Sequence, residues 1–403
     1  MRFRLLQATA FLLFWSGPTM NLLEAQNISD LREMTRRRLP RVVFETIESG
    51  VEDERGVVRN EQAFDKHCLL PRYLVDVEKI DLTTTLFGRN YAAPFGFSPT
   101  GFAGVFRRGA DTMMAKTACA ANVPMIISGS SIETLEDVNA VAPKHVWSHV
   151  YTAKDPDVTE DLLARAEHCG IDVLVITVDN PVYPNRERDA RNRFGKSIAS
   201  QKLSTILDAM SHPAWCIEFL AGGGFPKIGN WARYAGPNAS GPDVAAYYRS
   251  QSPVIVTWKD LEKIRSRWPG RLIVKGVQHP EDALLCLSCG VDGIVVSNHG
   301  GKAHDRLPAS LDALPFVRRA VGDAFPVMID GGIRRGADIV IAACLGASFA
   351  FIGRPALYGV VAGGECGVAK AVSILKREID LTLALIGCPS FAELNQDFLF
   401  SGN

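Results

Sequence analysis

Eight short runs of apolar residues alternate with helical patterns between residues 94 and 352, and a polar residue or a glycine follows each run. This alternation is typical of parallel βα units. Eight units in order, with no second pattern, predict a closed (β/α)8 TIM barrel more readily than a doubly wound open sheet. The predicted strands are Pro94–Phe97, Pro124–Ile127, His145–Val150, Val173–Val178, Leu272–Val274, Gly293–Val296, Val327–Ile329 and Phe349–Ile352.

The residues that follow the eight strands predict the position of a functional site. Barrels of this kind carry their active sites at the C-terminal ends of the strands. A few polar or glycine residues would stand there by chance, but such a residue at all eight ends indicates one central site. These ends carry Pro99-Thr100-Gly101, Ser128, Tyr151, Thr177-Val178-Asp179, Lys275-Gly276, Ser297-Asn298-His299, Asp330-Gly331-Gly332 and Gly353-Arg354.

Three segments lie outside this repeat. Residues 20 to 84 are predicted to cap the barrel with short helices, within one domain that runs from 20 to 403. The long connection from Arg191 to Ser252, after the fourth strand, is either a lid or interaction segment or an insertion packed on the rim. Residues 1 to 19 resemble a weak signal segment that is too short to span a membrane. We favour instead a start of translation at Met20.

Composition predicts a globular, cytoplasmic protein. The 403 residues are 47% hydrophobic and 22% charged with a formal net charge of zero, so nothing indicates a nucleic acid partner. The nine cysteines are an odd number scattered among apolar residues, which favours free thiols in a reducing compartment. Cys286 lies in an apolar predicted helix, Glu281 to Ser288, and Cys289 directly follows it. We interpret both as core packing rather than a redox or metal site. The other apolar residues of this helix, Ala283, Leu284, Leu285 and Leu287, suit a barrel wall.

The segment Asp330–Gly336 predicts a phosphate site. Barrels bind phosphate with the loops after strands seven and eight, through backbone N–H groups at a helix start. Glycines let the backbone approach closely, and an arginine adds a charge that can donate two bonds. Arg334 after the seventh strand and Arg354 after the eighth are therefore the predicted phosphate ligands.

Two further strand ends carry chemistry. Lys275 ends the fifth strand, where a lysine must meet an anion or shift its pKa. A reduced flavin would supply that anion, and a salt bridge to a neighbouring carboxylate is the alternative. His299 ends the sixth strand, where an imidazole suits proton transfer near neutral pH, and Asp179 could reach across the mouth to raise its basicity. No cluster has metal-ligand spacing, so no metal is predicted.

Together these motifs resemble the FMN-dependent α-hydroxy acid dehydrogenase and oxidase family, which includes L-lactate dehydrogenase, glycolate oxidase and mandelate dehydrogenase. The resemblance covers nearly everything from Met20 onward and is highly specific. The long loop, with Ser211-His212-Pro213-Ala214-Trp215, is most similar to the L-lactate dehydrogenase branch. Besides the strand ends, the resemblance rests on Leu39-Pro40, Pro71-Arg72, Ser98 and Arg186-Glu187-Arg188-Asp189.

The resemblance implies a role for each matching position. His299 would take the proton from the substrate, oriented by Asp179, and Tyr151 would hydrogen-bond the reacting oxygen. Arg186 and Lys302 would hold the substrate carboxylate. FMN would accept the electrons of the C–H bond, as hydride or through a carbanion, and oxygen, a quinone or a cytochrome would reoxidise it. The residues implied to hold FMN are Pro99, Thr100, Gly101, Ser128, His149, Thr177, Lys275, Ser297, Asp330, Gly331, Gly332, Arg334, Gly353 and Arg354.

Three positions depart from the family pattern. Lys302 stands where the family has its main carboxylate-clamping arginine, and it keeps the charge but loses the planar two-pronged grip. Thr46 replaces a tyrosine that also contacts the carboxylate, and His149 replaces a glutamine beside the flavin. We therefore expect the redox chemistry to persist on a substrate that is larger or lacks a small 2-hydroxy acid head. Arg188 and His304 lie near enough in sequence to compensate.

The leading hypothesis is oxidation of a lactate-like or larger 2-hydroxy acid to the 2-oxo acid. One alternative is a flavin-dependent tailoring oxidase of a peptide or secondary metabolite that uses the same base. A degenerate flavoprotein is a third, against which the retained His299, Asp179 and Lys275 argue. The resemblance also implies a homotetramer. Peripheral contact with the inner membrane through the apolar segment from Trp215 to Leu220 is left open, because a subunit contact would suit that segment equally.

Overall fold

The computed structural model describes residues 21–195, 200–252 and 254–400. The predicted extension at residues 1 to 19 lies outside them. The strands within the described residues are β1 (Thr84–Leu86), β2 (Arg89–Tyr91), β3 (Phe95–Phe97), β4 (Met125–Ile127), β5 (Val146–Val150), β6 (Val173–Thr177), β7 (Arg271–Lys275), β8 (Gly293–Val296), β9 (Val327–Asp330) and β10 (Phe349–Ile352).

The strands β3 to β10 form the closed barrel. Each pairs in parallel with the next in chain order, and β10 closes the barrel by pairing with β3. All eight predicted strands are present, and their ends differ from the predicted ones by at most one residue. The (β/α)8 fold predicted from the sequence is therefore confirmed.

Alternating side chains along each strand build two apolar layers. In β7, Ile273 belongs to the cluster inside the barrel, while Leu272 and Val274 pack with the surrounding helices. This period of two follows from strand geometry, in which successive side chains point to opposite faces. Because both faces are covered, the strands read as nearly continuous apolar runs.

An antiparallel hairpin, β1 with β2, closes the amino end of the barrel. Its Phe87 ring lies 5.8 Å from the ring of Trp147, and its Tyr91 ring lies 5.7 Å from that of Phe349. Both partners stand near the start of their strands, so the interior is plugged at that end. The polar strand ends lie at the opposite, carboxyl end, which leaves that end for a site.

Helices surround the barrel and cover its carboxyl end. The first three form the cap predicted for residues 20 to 84. The β1–β2 hairpin, which the sequence did not predict, begins at the end of that segment and extends to Tyr91. The helices are α1 (Ile28–Arg38), α2 (Arg41–Glu48), α3 (Arg55–Gln62), α4 (Ala103–Phe106), α5 (Ala110–Ala120), α6 (Leu135–Val141), α7 (Pro156–His168), α8 (Glu187–Arg191), α9 (Leu203–Met210), α10 (Pro213–Ala221), α11 (Gly229–Ala232), α12 (Gly241–Gln251), α13 (Trp258–Arg267), α14 (Pro280–Ser288), α15 (Ser310–Val321), α16 (Gly336–Cys344) and α17 (Arg354–Ile386).

The last helix, α17, is the longest and contributes to the core. Its backbone breaks from helical geometry at Gly363 and Gly364, where φ of Gly364 is +60°. In the part of the chain that the structure describes, α17 alone is long and apolar enough to cross a membrane, and 61% of its most apolar window is buried inside the protein. Thr35 of α1 donates its hydroxyl hydrogen to the backbone oxygen of Tyr358 in α17 over 2.9 Å, which ties the cap to this core helix.

The long connection after β6 forms α9 to α12 and is anchored by two tryptophans. Trp215 is 8% exposed and donates from Nε1 to the Val105 oxygen over 3.0 Å. Trp231 is 1% exposed and donates from Nε1 to the Gly129 oxygen over 2.9 Å. The apolar segment from Trp215 to Leu220 is thus not a uniform surface, because its first residue packs inward.

The cysteines within the described residues are free thiols. Cys286 is fully buried, in agreement with the predicted core packing. The prediction for the rest of α14 is wrong, because Leu284, Leu285 and Leu287 are 45%, 43% and 42% exposed. Their helix turns these leucines away from the barrel wall, which Ala283 and Cys286 contact instead.

Candidate active site

His299 and Asp179 meet at the carboxyl end of the barrel. Nδ1 of His299 lies 2.9 Å from Oδ1 of Asp179. The His299 backbone has φ of +61°, and its N–H donates to Ser297 Oγ over 3.0 Å. A positive φ is uncommon for a residue with a side chain, and such strain concentrates at functional sites. The structure therefore brings together the histidine and the aspartate that the sequence singled out.

The hydrogen bonds of His299 determine where its proton lies. An ionised carboxylate only accepts, so Nδ1 carries the hydrogen and donates it to Asp179. Nε2 then carries the lone pair of the ring, and the amide nitrogen of Asn180, a donor, lies 3.3 Å from it and 3.1 Å from Nδ1. The His299 side chain is 20% exposed and that of Asp179 only 5%. A ligand in the barrel mouth can thus reach the basic nitrogen.

Asp179 stays ionised although it is buried. Burial acts to raise the pKa of its carboxyl, but His299 and Lys275 together hold that pKa below its usual value. Its Oδ2 is buried with no hydrogen-bond partner among the described residues. A carboxylate bonded to Nδ1 fixes the tautomer and the orientation of the imidazole.

Tyr151 and Arg186 lie beside this pair. Burial, followed by the neighbouring Tyr248 and Asp179, raises the pKa of Tyr151 well above its usual value, so its hydroxyl keeps a hydrogen to donate. Arg186 has a buried Nε with no hydrogen-bond partner among the described residues. A buried donor without a partner is costly, so this arginine is suited to meet an anion.

Lys302 faces the same mouth and is bonded to the cap. Its Nζ donates to the Thr46 backbone oxygen over 2.8 Å. The Thr46 hydroxyl donates back to its own helix and is not directed at the mouth. Burial, with Arg354 and Arg186 close by, depresses the pKa of Lys302 well below its usual value. An anion placed between Lys302 and Arg186 would therefore relieve their mutual repulsion.

The two residues that could compensate for the changed carboxylate contacts, Arg188 and His304, form hydrogen bonds elsewhere. Arg188 pairs with Glu54 of the cap. His304 is exposed, and its Nδ1 accepts the backbone N–H of Arg306 over 3.0 Å. The structure does not bring either residue to the place where Lys302 and Arg186 lie.

A second set of polar side chains is buried at the same end of the barrel. Nζ of Lys275 lies 2.8 Å from Ser297 Oγ and 3.1 Å from Asp330 Oδ2, and Ser98 donates its hydroxyl hydrogen to the same Asp330 oxygen over 2.9 Å. The salt bridge considered for Lys275 is thus present. Although burial acts to lower it, the pKa of Lys275 is raised by Asp330 and Asp179, so the ammonium keeps its charge.

His149 is buried between the ends of β4 and β6. Its Nδ1 accepts the backbone N–H of Gly129 over 3.1 Å, and its Nε2 lies 2.7 Å from Thr177 Oγ1. Its ring meets the ring of Tyr151 edge to face at 4.4 Å between centroids. Burial, then Lys275 and His299, lower the pKa of His149 to about 3, so the imidazole is neutral.

Arg354 is directed at the cap rather than at open space. Its guanidinium donates to the backbone oxygens of Ile47 at 2.9 Å, Ser49 at 3.0 Å, Glu48 at 3.3 Å and Gly300 at 3.0 Å. Because those bonds occupy the side chain, Arg354 can serve a phosphate mainly through the start of α17, where backbone N–H groups lack helical partners.

Arg334 and the two glycines before it form the other half of the predicted phosphate site. Arg334 pairs with Glu61 at 2.8 Å, and a cavity of about 390 Å³ lies between its side chain, Arg354 and the cap. Gly331 and Gly332 have φ of +97° and +82°. A Cβ on Gly332 would lie 2.1 Å from a backbone oxygen of α3, so only glycine fits there.

These residues fit a flavin mononucleotide. Asp330 Oδ1 is buried with no partner among the described residues, and it can accept from a ribityl hydroxyl. Lys275 offers a buried positive charge to the reduced ring, and the glycine backbone after β9 suits a phosphate. The remaining predicted ligands line the same end: Ser128 and Gly353 stand directly after β4 and β10, and Pro99, Thr100 and Gly101 follow β3. A Cβ on Gly101 would lie 2.3 Å from Ser130 Oγ, so a larger residue there would displace the Ser130 hydroxyl.

Sequence reasoning missed two features of the site. Asn180, whose amide nitrogen approaches the His299 ring, directly follows Asp179, and that adjacency was the available signal. Asn60 and Asn298 exchange two side-chain hydrogen bonds of 2.7 and 2.8 Å and are both buried. No sequence signal indicated that pair, because the partners are far apart in the chain.

Comparisons with known proteins agree with this arrangement. The family model described as FMN-dependent dehydrogenase matches residues 35–401. The chain is 35% identical to (S)-mandelate dehydrogenase of Pseudomonas putida, over 93% of this chain and 93% of that protein. It is 37% identical to L-lactate dehydrogenase of Caulobacter vibrioides, over 92% of this chain and 96% of that protein.

A solved structure is similar as well. The crystal structure of the monotopic membrane protein (S)-mandelate dehydrogenase superimposes with a TM-score of 0.89 and 34% identity, covering 94% of this chain and 100% of that one. The match extends over the barrel, its cap and the strand ends described above. FMN is therefore the cofactor, and the enzyme is an oxidoreductase that acts on α-hydroxy acids. The chain belongs to the FMN-dependent dehydrogenase family.

Proposed function

We propose that this protein oxidises the CH–OH group of a 2-hydroxy acid, lactate-like or larger, to the 2-oxo acid, with His299 as the base. The observation that carries the proposal is the His299–Asp179 pair, in which Nδ1 donates to the carboxylate and Nε2 keeps its lone pair at the barrel mouth. An imidazole held in this way is a general base suited to neutral pH.

The chain's own residues divide the work on the substrate. Nε2 of His299 takes one proton, and Asp179 stabilises the imidazolium that forms. Tyr151, which keeps its hydroxyl hydrogen, donates to the reacting oxygen. FMN, when bound, would accept the two electrons and the second proton of the CH–OH group and pass the electrons to an acceptor such as oxygen, a quinone or a cytochrome.

Arg186 and Lys302 bind the substrate carboxylate in this proposal. Arg186 contributes a buried donor that lacks a partner, and Lys302 contributes a single ammonium in place of a forked guanidinium. Thr46, with its hydroxyl turned back to its helix, leaves room where a tyrosine would stand. The site therefore favours a 2-hydroxy acid with a larger side chain than lactate.

The experiment is anaerobic reduction of the FMN-loaded protein, followed by its absorbance. L-Lactate, glycolate, (S)-mandelate and longer 2-hydroxy acids are compared, and bleaching by at least one of them is expected. His299→Ala should bind FMN and lose bleaching by at least about a thousandfold in rate, within the range that general base catalysis contributes. His304→Ala, which changes an exposed histidine outside the site, should bleach normally. Unchanged bleaching in His299→Ala removes that residue from the mechanism.

We also propose that the protein lies on the inner face of the cytoplasmic membrane through α9 and α10. These helices expose Leu203, Leu207, Met210, Ile217 and Leu220 at 57% to 72%. Contiguous exposed apolar side chains mark interaction sites, and the mandelate dehydrogenase with the similar structure is a monotopic membrane protein. Cytoplasmic location and a homotetramer stay predictions.

Sedimentation with phospholipid vesicles tests this surface. The wild-type protein should pellet with vesicles, and the double variant Leu207→Ser with Ile217→Ser should stay in the supernatant. Leu285→Ser is the matched control, because it removes a similarly exposed leucine from α14. Equal pelleting of the double variant and the wild type would show that α9 and α10 do not bind the membrane.

A further inference from the structure

His149 is fully bonded within the protein, although it stands beside the flavin site. It occupies the position where the family pattern has a glutamine. It is 3% exposed, and both ring nitrogens have protein partners. A glutamine amide there would have a donor and an acceptor available to bond the cofactor. This imidazole has no polar atom left over, so any effect on the cofactor must pass through a partner.

The partners of His149 fix its tautomer. The backbone N–H of Gly129 can only donate, so Nδ1 at 3.1 Å must accept and carries no hydrogen. The hydrogen of the neutral ring therefore sits on Nε2. That N–H points at Thr177 Oγ1, 2.7 Å away. The Thr177 hydroxyl is consequently an acceptor in this bond.

The hydrogen of the Thr177 hydroxyl must then point elsewhere. Thr177 is 6% exposed, and among the described residues its hydroxyl makes no second hydrogen bond. Buried donors in folded proteins are normally paired. Thr177 is the register partner of Lys275 in the barrel, so the two buried donors stand side by side at the carboxyl end. Two adjacent donors of this kind are complementary to the carbonyl groups on the pyrimidine edge of a flavin.

We infer that His149 is a positioning residue, which fixes the Thr177 hydroxyl as a hydrogen-bond donor to a pyrimidine carbonyl of FMN. The bond strengthens when the ring is reduced, because the reduced pyrimidine carries more negative charge and hydrogen bonds to charged groups are stronger. His149 therefore favours the reduced cofactor through Thr177. The inference concerns the cofactor's reduction potential and does not depend on which 2-hydroxy acid is the substrate.

The first test is the midpoint potential of bound FMN, measured by equilibration with reference dyes in Thr177 variants. Thr177→Val removes the donor and keeps the shape, and it should shift the ratio of reduced to oxidised FMN about tenfold toward oxidised, or about 30 mV for a two-electron couple. Thr177→Ser is the matched control, and its potential should equal that of the wild type. An unchanged potential in Thr177→Val overturns the inference.

The second test separates a path through Thr177 from a direct effect of His149. His149→Phe keeps the aromatic ring but removes the N–H, so it should lower the potential in the wild-type background. The same substitution should have no further effect in the Thr177→Val background. Equal shifts in the two backgrounds show that His149 acts without Thr177 and overturn the inference. If His149→Phe does not retain FMN, His149→Met, which also lacks the N–H, takes its place in the same pair of backgrounds, and the same two outcomes apply.

Discussion

Lys302, whose Nζ is bonded to the Thr46 backbone oxygen, lies close enough to Arg186 and Arg354 for their charges to act on it. Burial and these two charges depress its pKa, and the carboxylates of Asp189 and Glu48 offset part of that effect. Only the ammonium form attracts a carboxylate. As pH rises through the depressed pKa, Lys302 loses its proton and its hold on an anion, whereas an arginine stays charged.

The affinity for a 2-oxo acid should therefore depend on pH in a way that Lys302→Arg abolishes. With phenylglyoxylate as the probe, wild-type affinity should fall about tenfold for each pH unit above the depressed pKa, since one proton is linked to binding. Lys302→Arg should show a flat profile over the same range, and Lys302→Met should bind weakly throughout. Titration calorimetry or the flavin absorbance change measures all three. Parallel profiles in wild type and Lys302→Arg would assign the pH dependence to another group.

His149 links the stability of the protein to pH. Burial, with Lys275 and His299, lowers its folded pKa to about 3 from the ordinary value of 6.5. Between these values the unfolded chain binds a proton that the folded protein does not. The free energy of unfolding should thus fall as pH drops below about 6.5, by up to about 1.4 kcal/mol per pH unit from this group.

Urea unfolding across the range from about pH 5 to about pH 7 measures that slope. His149→Gln can keep both hydrogen bonds through its side-chain amide but does not titrate. The free energy of unfolding of this variant should therefore change less steeply with pH, by the contribution of one proton. His304→Gln is the control, because it changes an exposed histidine away from His149. An identical slope in His149→Gln and wild type would contradict the buried, neutral state of His149.

The sequence predicted which side chains meet at the carboxyl end of the barrel but few of their bonds. His299, Asp179 and Lys275 could be found because strand ends converge at one face of a barrel. The partners of Arg354 could not, since they are backbone oxygens of the cap about 300 positions earlier in the chain, brought close only by folding. Position along a strand predicts where a side chain lies, whereas its bonding depends on elements that no local pattern encodes.

At the level of elements, the α3 helix and the end of β8 are joined by a buried amide pair. Nδ2 of Asn60 donates to Oδ1 of Asn298 over 2.7 Å, and Nδ2 of Asn298 donates back over 2.8 Å. The two residues are 2% and 0% exposed. Asn298 directly precedes His299, so this pair sets the position of the His299 segment relative to the cap.

Asn60→Ala should lower the free energy of unfolding by about 1–3 kcal/mol, because it leaves a buried amide of Asn298 without its partner. It should also slow flavin reduction by substrate, as the His299 segment loses a fixed support. Gln62→Ala, an exposed amide on the same helix, should change neither quantity. Urea unfolding and anaerobic reduction measure the two effects. A stability loss as small as that of Gln62→Ala would show that the Asn60–Asn298 pair does not hold α3 to the end of β8.

Elements were predicted well where an apolar pattern runs through a whole strand. Every barrel strand is continuous and buried, so its period and length were unambiguous. The β1–β2 hairpin escaped prediction because Thr84–Leu86 and Arg89–Tyr91 are only three residues each and mostly polar. The orientation of α14 was wrong because its leucines occur on several faces, and composition alone does not say which face packs.

The whole molecule is a barrel plugged at its amino end by a hairpin and covered at its carboxyl end by the cap and the long connection. The cap is separate in sequence from β7 to β10, so something must hold it over the flavin site. Arg354, at the start of α17, spans this gap with bonds to three successive cap residues and to Gly300 beside His299. A single buried guanidinium thus connects the cap, the segment that contains His299 and Gly300, and the start of α17.

Arg354→Met should therefore loosen the cap without unfolding the barrel. We expect faster proteolysis within residues 21–84 and at least about tenfold weaker FMN binding, because four charge-assisted bonds are lost and their acceptors are left buried. Arg354→Lys should rescue only part of the loss, since one nitrogen cannot reach oxygens spread over two elements.

Arg335→Met changes an arginine at the same end whose side chain is 55% exposed, and it should leave proteolysis unchanged. Limited proteolysis followed by mass spectrometry locates the cuts, and flavin fluorescence gives the affinity. Cuts spread evenly over cap and barrel would mean that Arg354 stabilises the whole fold rather than the attachment of its cap.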